Sequence, residues 1–139
     1  MDAQYFKDLL HSRKLKATGH RINLLILMDE YKSAMPYSSI QKAMASMDRV
    51  TLYRTLESLK EKCVIHKAFQ ENNESYYAIC GSECDTHDHH HDHIHFKCTS
   101  CETVTCQTTT QKVQVTLPGN EIHKVSIHVE GVCQTCVAN

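Results

Sequence analysis

Four cysteines arrive as two matched pairs late in the chain, Cys98-Thr-Ser-Cys101 and Cys133-Gln-Thr-Cys136. A Cys-x2-Cys turn lets two sulfurs reach one ion. Two such turns from distant segments close a tetrahedral shell, the arrangement that structural zinc requires. The 31 residues between Cys101 and Cys133 then become a metal-closed loop. Ahead of the first pair runs a histidine-dense stretch, His87-Asp-His89-His90-His91-Asp-His93-Ile-His95. Disulfides are the competing chemistry for the thiols. They need an oxidising compartment, and the opening Met-Asp-Ala-Gln-Tyr-Phe-Lys-Asp-Leu-Leu lacks a basic region followed by an apolar stretch. No apolar run approaches the ~18 residues of a membrane span, so a cytoplasmic, membrane-free location is expected. A redox dithiol beside a βαβ pattern is unsupported, because no such pattern is present.

Charge divides the chain as sharply as the metal donors do. Residues 1–70 carry twelve Lys and Arg against seven Asp and Glu, a balance of +5, whereas residues 71–139 carry three against nine, a balance of −6. The second half also holds seven of the eight cysteines and eight of the eleven histidines. A basic half meets an anion such as nucleic acid, and an acidic, donor-rich half holds cations.

The elements that must position these residues follow from periodicity. Asp2–Lys14 places Ala3, Phe6, Leu9 and Leu10 on one helical face. Thr18 caps a second helix to about Glu30, with Ile22, Leu25 and Ile26 as its buried stripe. After Pro36, Ser38 or Ser39 opens a third helix with Ile40, Ala43, Met44 and Met47 inward. Asp48 caps a fourth, Arg49–Lys62, with Leu52, Leu56 and Leu59 inward and Thr51, Tyr53, Arg54 and Thr55 on its other face. Two β-forming runs, Val64–Gln70 and Ser75–Ile79, flank Glu-Asn-Asn-Glu and read as a hairpin. Helices followed by a recognition helix and a two-stranded wing make a winged helix-turn-helix. The polar stretch 81–92 is a hinge loop, giving units at 1–80 and 93–139 within an α+β protein. In the second unit Thr103–Cys106, Glu121–His123 and Ser126–Glu130 have β character, Leu117-Pro-Gly-Asn marks a turn, and Thr108–Val115 is a short helix or a strand.

Five motifs in order resemble the ferric uptake regulator superfamily of metal-dependent repressors, and its zinc-sensing members in particular. They are Leu15-Lys-Ala-Thr18 with Arg21, Asp48-Arg-Val-Thr-Leu-Tyr-Arg-Thr-Leu56, Tyr76-Tyr-Ala-Ile-Cys80, His93-Ile-His-Phe-Lys-Cys-Thr-Ser-Cys101 and Gly131-Val-Cys-Gln-Thr-Cys136. The resemblance implies a homodimeric repressor that binds double-stranded, inverted-repeat operator DNA. It implies a winged-helix DNA-binding domain followed by a small α/β dimerisation domain. Cys98, Cys101, Cys133 and Cys136 would hold structural zinc, and a second site between the domains would sense metal.

Expected DNA contacts have their own logic. Tyr53 and Arg54 can reach base edges or thymine methyls in the major groove, and Thr51 and Thr55 can bind phosphate. Lys16 is placed like the family residue that enters the adjacent minor groove.

For the sensing site, the resemblance places Ala78 where iron-sensing relatives carry a carboxylate, and Cys106 where they carry Asp or Glu. Thiolates in place of oxygens move preference toward zinc. The expected regulatory set is therefore Cys80, His93, His95 and Cys106, with His66, Cys84 and His91 in reserve. His93 and His95 are two apart and share a strand face. Ile94 and Val125 stand where relatives carry ligands of a third site, and Ser33 or Ala34 where some carry a histidine.

The reading is thus a repressor that responds to a second, regulatory zinc, with iron or manganese as alternative metals in an iron- or peroxide-responsive relative. A zinc hydrolase would need an open coordination position and a base, as in His-Glu-x-x-His, and that motif is missing from the sequence. A metal-storage or zinc-chaperone role would leave the basic helix-turn-helix without a purpose.

Overall fold

The computed structural model describes residues 2–80, 93–108, 113–123, 125 and 127–139, with His93 and Thr108 as backbone alone. Cys84, His91 and the rest of 81–92, the stretch expected to be a hinge loop, lie outside the described residues.

Local side-chain chemistry starts three of the helices. The Asp2 carboxylate accepts the Tyr5 N–H at 2.9 Å and opens α1, Ala3–Ser12. Thr18 caps α2, Gly19–Tyr31, and Asp48 caps α4, Arg49–Glu61, by accepting the Thr51 N–H at 2.7 Å. Between them β1, Met35–Pro36, leads into α3, Tyr37–Ala43. This third helix starts at Tyr37, with Pro36 at its N-cap position, rather than at the serines. Its N-terminal Ser38 N–H is accepted by Glu74 of the wing, at 2.8 Å, in place of a cap from its own side chains.

Phe6, Leu10, Leu24, Leu25, Ile40, Leu52, Leu56 and Leu59 are fully buried and form one core. Two expectations shift. The deepest stripe of α2 is Leu24, Leu25 and Met28, with Ile22 and Ile26 half-buried, and Ala43 is exposed.

The wing is β2, Ile65–Glu71, and β3, Glu74–Ile79. Asn72 and Asn73 join them with φ of 52° and 63°, the left-handed pair that matches a two-residue turn to strand twist. The short β1, which was not foreseen, pairs with β3 to give the order β1-β3-β2. Register jumps from Lys67↔Tyr77 to Phe69↔Tyr76, leaving Ala68 as a bulged extra residue. By strict alternation His66 would share a face with Ala68 and Gln70. The bulge resets the phase, so His66, Phe69 and Glu71 stand with Ala78, Tyr76 and Glu74. The opposite face carries Ile65, Tyr77 and Ile79 into the helical core.

The second sheet has the order β5-β4-β6, from β4, His93–Cys98, β5, Val104–Thr108, and β6, His128–Gly131. β4 pairs antiparallel with β5 and parallel with β6, and the parallel pair requires a long crossover. Within that connection, Asn120 N–H bonds Leu117 C=O at 3.1 Å over the Pro118-Gly119 turn, where Gly119 takes φ 78°. Glu121–His123 is not a strand, β6 begins at His128, with Ser126 outside the described residues, and Val113 and Val115 follow irregular backbone. The short α5, Gln134–Val137, closes the described chain.

Wing and second sheet meet face to face. Ala34, Ala68, Phe69 and Val104 are buried together, with Tyr76 and Ala78 against them, and the Ala34 N–H bonds the Val104 carbonyl at 2.8 Å.

Candidate metal centres and nucleic-acid interface

Four sulfurs gather where β4 ends and α5 begins. The Sγ atoms of Cys98, Cys101, Cys133 and Cys136 all lie within 4.8 Å of one another, and none is in a disulfide. Thr99 stitches the two turns together, with its N–H at 2.7 Å and its hydroxyl at 3.1 Å from the Gly131 carbonyl. Buried Cys98 Sγ accepts the backbone N–H groups of Cys101 at 3.4 Å and Cys133 at 3.3 Å, which pull its pKa down to about 6. The Thr103 hydroxyl lowers that of Cys101. Cys136, beside the Cys133 thiol, is pushed up to about 12. The set is therefore polarised: Cys98 is ready as a thiolate and Cys136 resists ionisation until a cation shares the charge. Four close sulfurs with no carboxylate among them match a soft, tetrahedral ion.

A second cluster straddles the seam between the two sheets. Donor atoms of His66, His95 and Cys106 lie within 4.8 Å of one another. His66 comes from β2 of the wing, whereas His95 and Cys106 face each other across the β4–β5 ladder. Imidazole rings of His66 and His95 stack with centroids 5.4 Å apart, and both residues are buried. His66 Nε2 lies 3.3 Å from Cys106 Sγ, while its Nδ1 lies 3.4 Å from Cys80 Sγ. Cys80 therefore sits behind the His66 ring and orients it, and it is not in the close donor group. His66, a reserve candidate on sequence grounds, stands inside that group. The side chain of His93 falls outside the described residues, as do Cys84 and His91. Among the described residues this cluster is two imidazoles and a thiol without a carboxylate, a donor set that suits zinc better than a hard cation.

Sequence reasoning passed over His128. It lies opposite His95 on β6, with ring centroids 5.4 Å apart, and packs edge-on against Phe69 at 5.4 Å. Its parallel register was invisible without the sheet order. His66 had a signal available. It pairs across the ladder with Ala78, the small residue at the wing position where a carboxylate was missed.

The exposed side of α4 offers Arg49, Val50, Tyr53 and Arg54, with Val50 and Tyr53 at 59% and 56% exposure. The threonines are less available. Thr51 donates its hydroxyl to Asp48 Oδ2 at 3.0 Å, and Thr55 donates to the Thr51 carbonyl at 2.8 Å. Lys16 is exposed, and its carbonyl accepts Arg21 Nη1 at 2.9 Å, which fixes the backbone that presents it. Among the described residues no helix is long and apolar enough to cross a membrane.

Comparison with known proteins agrees with this architecture. The ferric uptake regulator family model matches residues 12–130. The fold resembles that of holo XcZur, with a TM-score of 0.70, 17% identity and 99% of each chain covered. A zinc uptake regulator complexed with zinc and DNA matches with a TM-score of 0.67 at 20% identity, covering 98% of this chain and 93% of that one. The Vibrio cholerae ferric uptake regulator matches with a TM-score of 0.61 at 17% identity, over 91% of this chain and 98% of that one. No curated protein sequence matches the chain.

Proposed function

The chain belongs to the ferric uptake regulator family, whose members are metal-responsive transcription regulators and not enzymes, and from that premise we propose that it is a zinc-responsive repressor of metal-uptake genes. The observation that carries the reading is the placement of His66, His95 and Cys106. One donor belongs to the unit bearing the recognition helix, and two belong to the second sheet. An ion held by all three would cross-link the units. The full set is on offer when the three donors converge, so an ion with affinity for that set draws the population toward the converged arrangement. Zinc is favoured over iron or manganese because Cys106 supplies sulfur, and because the wing supplies imidazole from His66 in place of a carboxylate at Ala78. Cys80 supports this by holding His66 from its far nitrogen. His93, two residues before His95 on β4, is the candidate to complete the shell.

The four-cysteine group is the structural zinc site in this reading. Units 1–80 and 93–139 then act as DNA-binding and dimerisation domains joined by 81–92. Ile94, Phe96 and Val129 share the face of the second sheet turned away from the wing, and Val129 and Val132 are exposed, which suits a homodimer contact. Two α4 helices related by the dimer axis would read an inverted-repeat operator. Tyr53 and Arg54 would reach the bases, and Lys16 the adjacent minor groove.

The test is operator binding against free zinc, iron and manganese for wild type and Cys106→Ala. Activation by zinc at the lowest free concentration, lost in Cys106→Ala while the four-cysteine zinc stays, supports the reading. Activation by iron at lower free concentration, or a normal zinc response in the variant, overturns the choice of metal.

A further inference from the structure

Beside the three-donor cluster the same seam carries a contact that needs no metal. Lys97 follows His95 by two residues on β4 and so shares its face. Its ammonium is ion-paired with Glu71 of β2 and lies over the Phe69 ring, 5.6 Å from the centroid. The Lys97 side chain keeps only 14% of its exposure. Phe69 is itself buried, edge-on to both Tyr76 and His128. A cation from the second sheet is thus enclosed by a carboxylate and an aromatic face that both belong to the wing. Desolvation strengthens both attractions relative to an exposed pair. The bulge at Ala68 is what aims Phe69 and Glu71 at Lys97 while His66 aims at His95.

We propose that Lys97, Glu71 and Phe69 are positioning residues of the sensing site, holding the wing against the second sheet before metal arrives and so setting the metal concentration at which the site fills. The inference rests on the reading of His66, His95 and Cys106 as the regulatory donors. When only a fraction of molecules is docked, apparent affinity falls in proportion to that fraction. Loosening the clamp therefore weakens zinc binding without touching a ligand.

Two measurements on the full chain test this. In the first, second-site zinc affinity is read by competition with a chromogenic chelator, with the four-cysteine zinc already loaded. Lys97→Glu, which sets two carboxylates against each other, is expected to weaken affinity by about tenfold. Lys97→Arg stays within about twofold, because it keeps the charge and the stacking. The exchange Lys97→Glu with Glu71→Lys recovers most of the loss. In the second, the hydrogen-exchange rate of the Ala34 amide, which bonds Val104 across the seam, is read in a His66→Ala background where the second site is disabled. Lys97→Glu is expected to speed that exchange by about tenfold.

Wild-type zinc affinity in Lys97→Glu, or no recovery on charge exchange, overturns the proposal. Faster Ala34 exchange with unchanged zinc affinity overturns it too, by showing a clamp unconnected to metal binding. If Lys97→Glu loses the four-cysteine zinc and misfolds, Glu71→Lys at the more exposed end replaces it in both measurements. Weaker zinc binding with faster Ala34 exchange then supports the clamp, and wild-type zinc affinity overturns it. The exchange measurement uses no second-site zinc, so it stands even if a metal other than zinc proves to be the regulator.

Discussion

The two donor clusters both offer thiol sulfur, but on different foundations. Cys98, Cys101, Cys133 and Cys136 belong to one unit, and their turns are already tied by Thr99 to Gly131 and by backbone N–H groups to the Cys98 sulfur. The two turns that carry them both leave from the end of the β4–β6 pairing, at Cys98 and Gly131. His66, by contrast, approaches His95 and Cys106 from a different sheet, across a seam built on the buried side chains of Ala34, Ala68, Phe69 and Val104. It can leave while both sheets stay intact. A site assembled inside one folded unit stabilises that unit, whereas a site assembled between two units reports on their arrangement. Ligand identity alone would not have separated the two roles, since both clusters use cysteine.

The largest expected effect breaks the first half of that comparison. Cys133→Ser should release about one zinc per chain and melt the second sheet, because metal binding in such sites contributes folding free energy directly. Metal analysis with circular dichroism checks it, and full zinc with an unchanged melt would show the cluster to be dispensable. His66→Ala addresses the other half. It should keep the four-cysteine zinc and the thermal midpoint, yet lose the metal-dependent gain in operator affinity, a coupling of about 5–150-fold in systems of this kind. If His66→Ala also unfolds the second sheet, the two clusters do not differ in this way.

Arg54→Ala lies on the output side. A loss of about 1–3 kcal/mol in operator binding is expected, with relaxed specificity at the contacted base and an intact dimer, as read by titration against the operator and single-base variants of it. Asp48→Ala removes the cap whose carboxylate holds the first turn of α4, and should cost about 1 kcal/mol of stability with a smaller effect on DNA binding.

The smallest effect sharpens the comparison through protons. A thiol bound to metal is held as a thiolate, so its pKa is depressed in the bound state; the stabilisation is present at high pH and lost as pH falls. Cys98, at about 6 without metal, yields little of this slope above neutrality, while Cys136, at about 12, must give up its proton throughout. The four-cysteine cluster should therefore gain affinity more steeply between about pH 7 and 8 than the cluster with a single thiol. Equal slopes in a chelator competition would contradict the donor sets.

Much of this was legible in the sequence, and the failures are physical. Helix caps at Thr18 and Asp48 and the paired cysteines are short-range signals, and residue type and spacing carry them. The α2 stripe was misphased because Leu24 and Met28 compete with Ile22 and Ile26 for the core, and only packing decides between them. The two-residue β1 has no pattern of its own and exists because β3 offers it an edge. The convergence of His66 with His95 and Cys106, and the contact of Cys80 with the far nitrogen of the His66 ring, depend on how two sheets face each other. That is a long-range fact with no local signature. The parallel register of β6, which brings His128 beside His95, is of the same kind.

The bulged Ala68 has a genetic consequence. As the extra residue of β2, its codon can be lost while Lys67 and Phe69 keep Tyr77 and Tyr76 as consecutive partners, so His66, Phe69 and Glu71 still share a face. Two codons further on there is no such slack. Loss of Gln70 would draw Glu71 opposite Ser75 and turn its carboxylate away from Lys97, while every metal donor and every DNA-facing residue stayed in place. That allele would encode a chain with its full complement of ligands and a weakened response. In a genetic screen it would resemble a loss-of-ligand mutant, although every ligand codon reads as wild type.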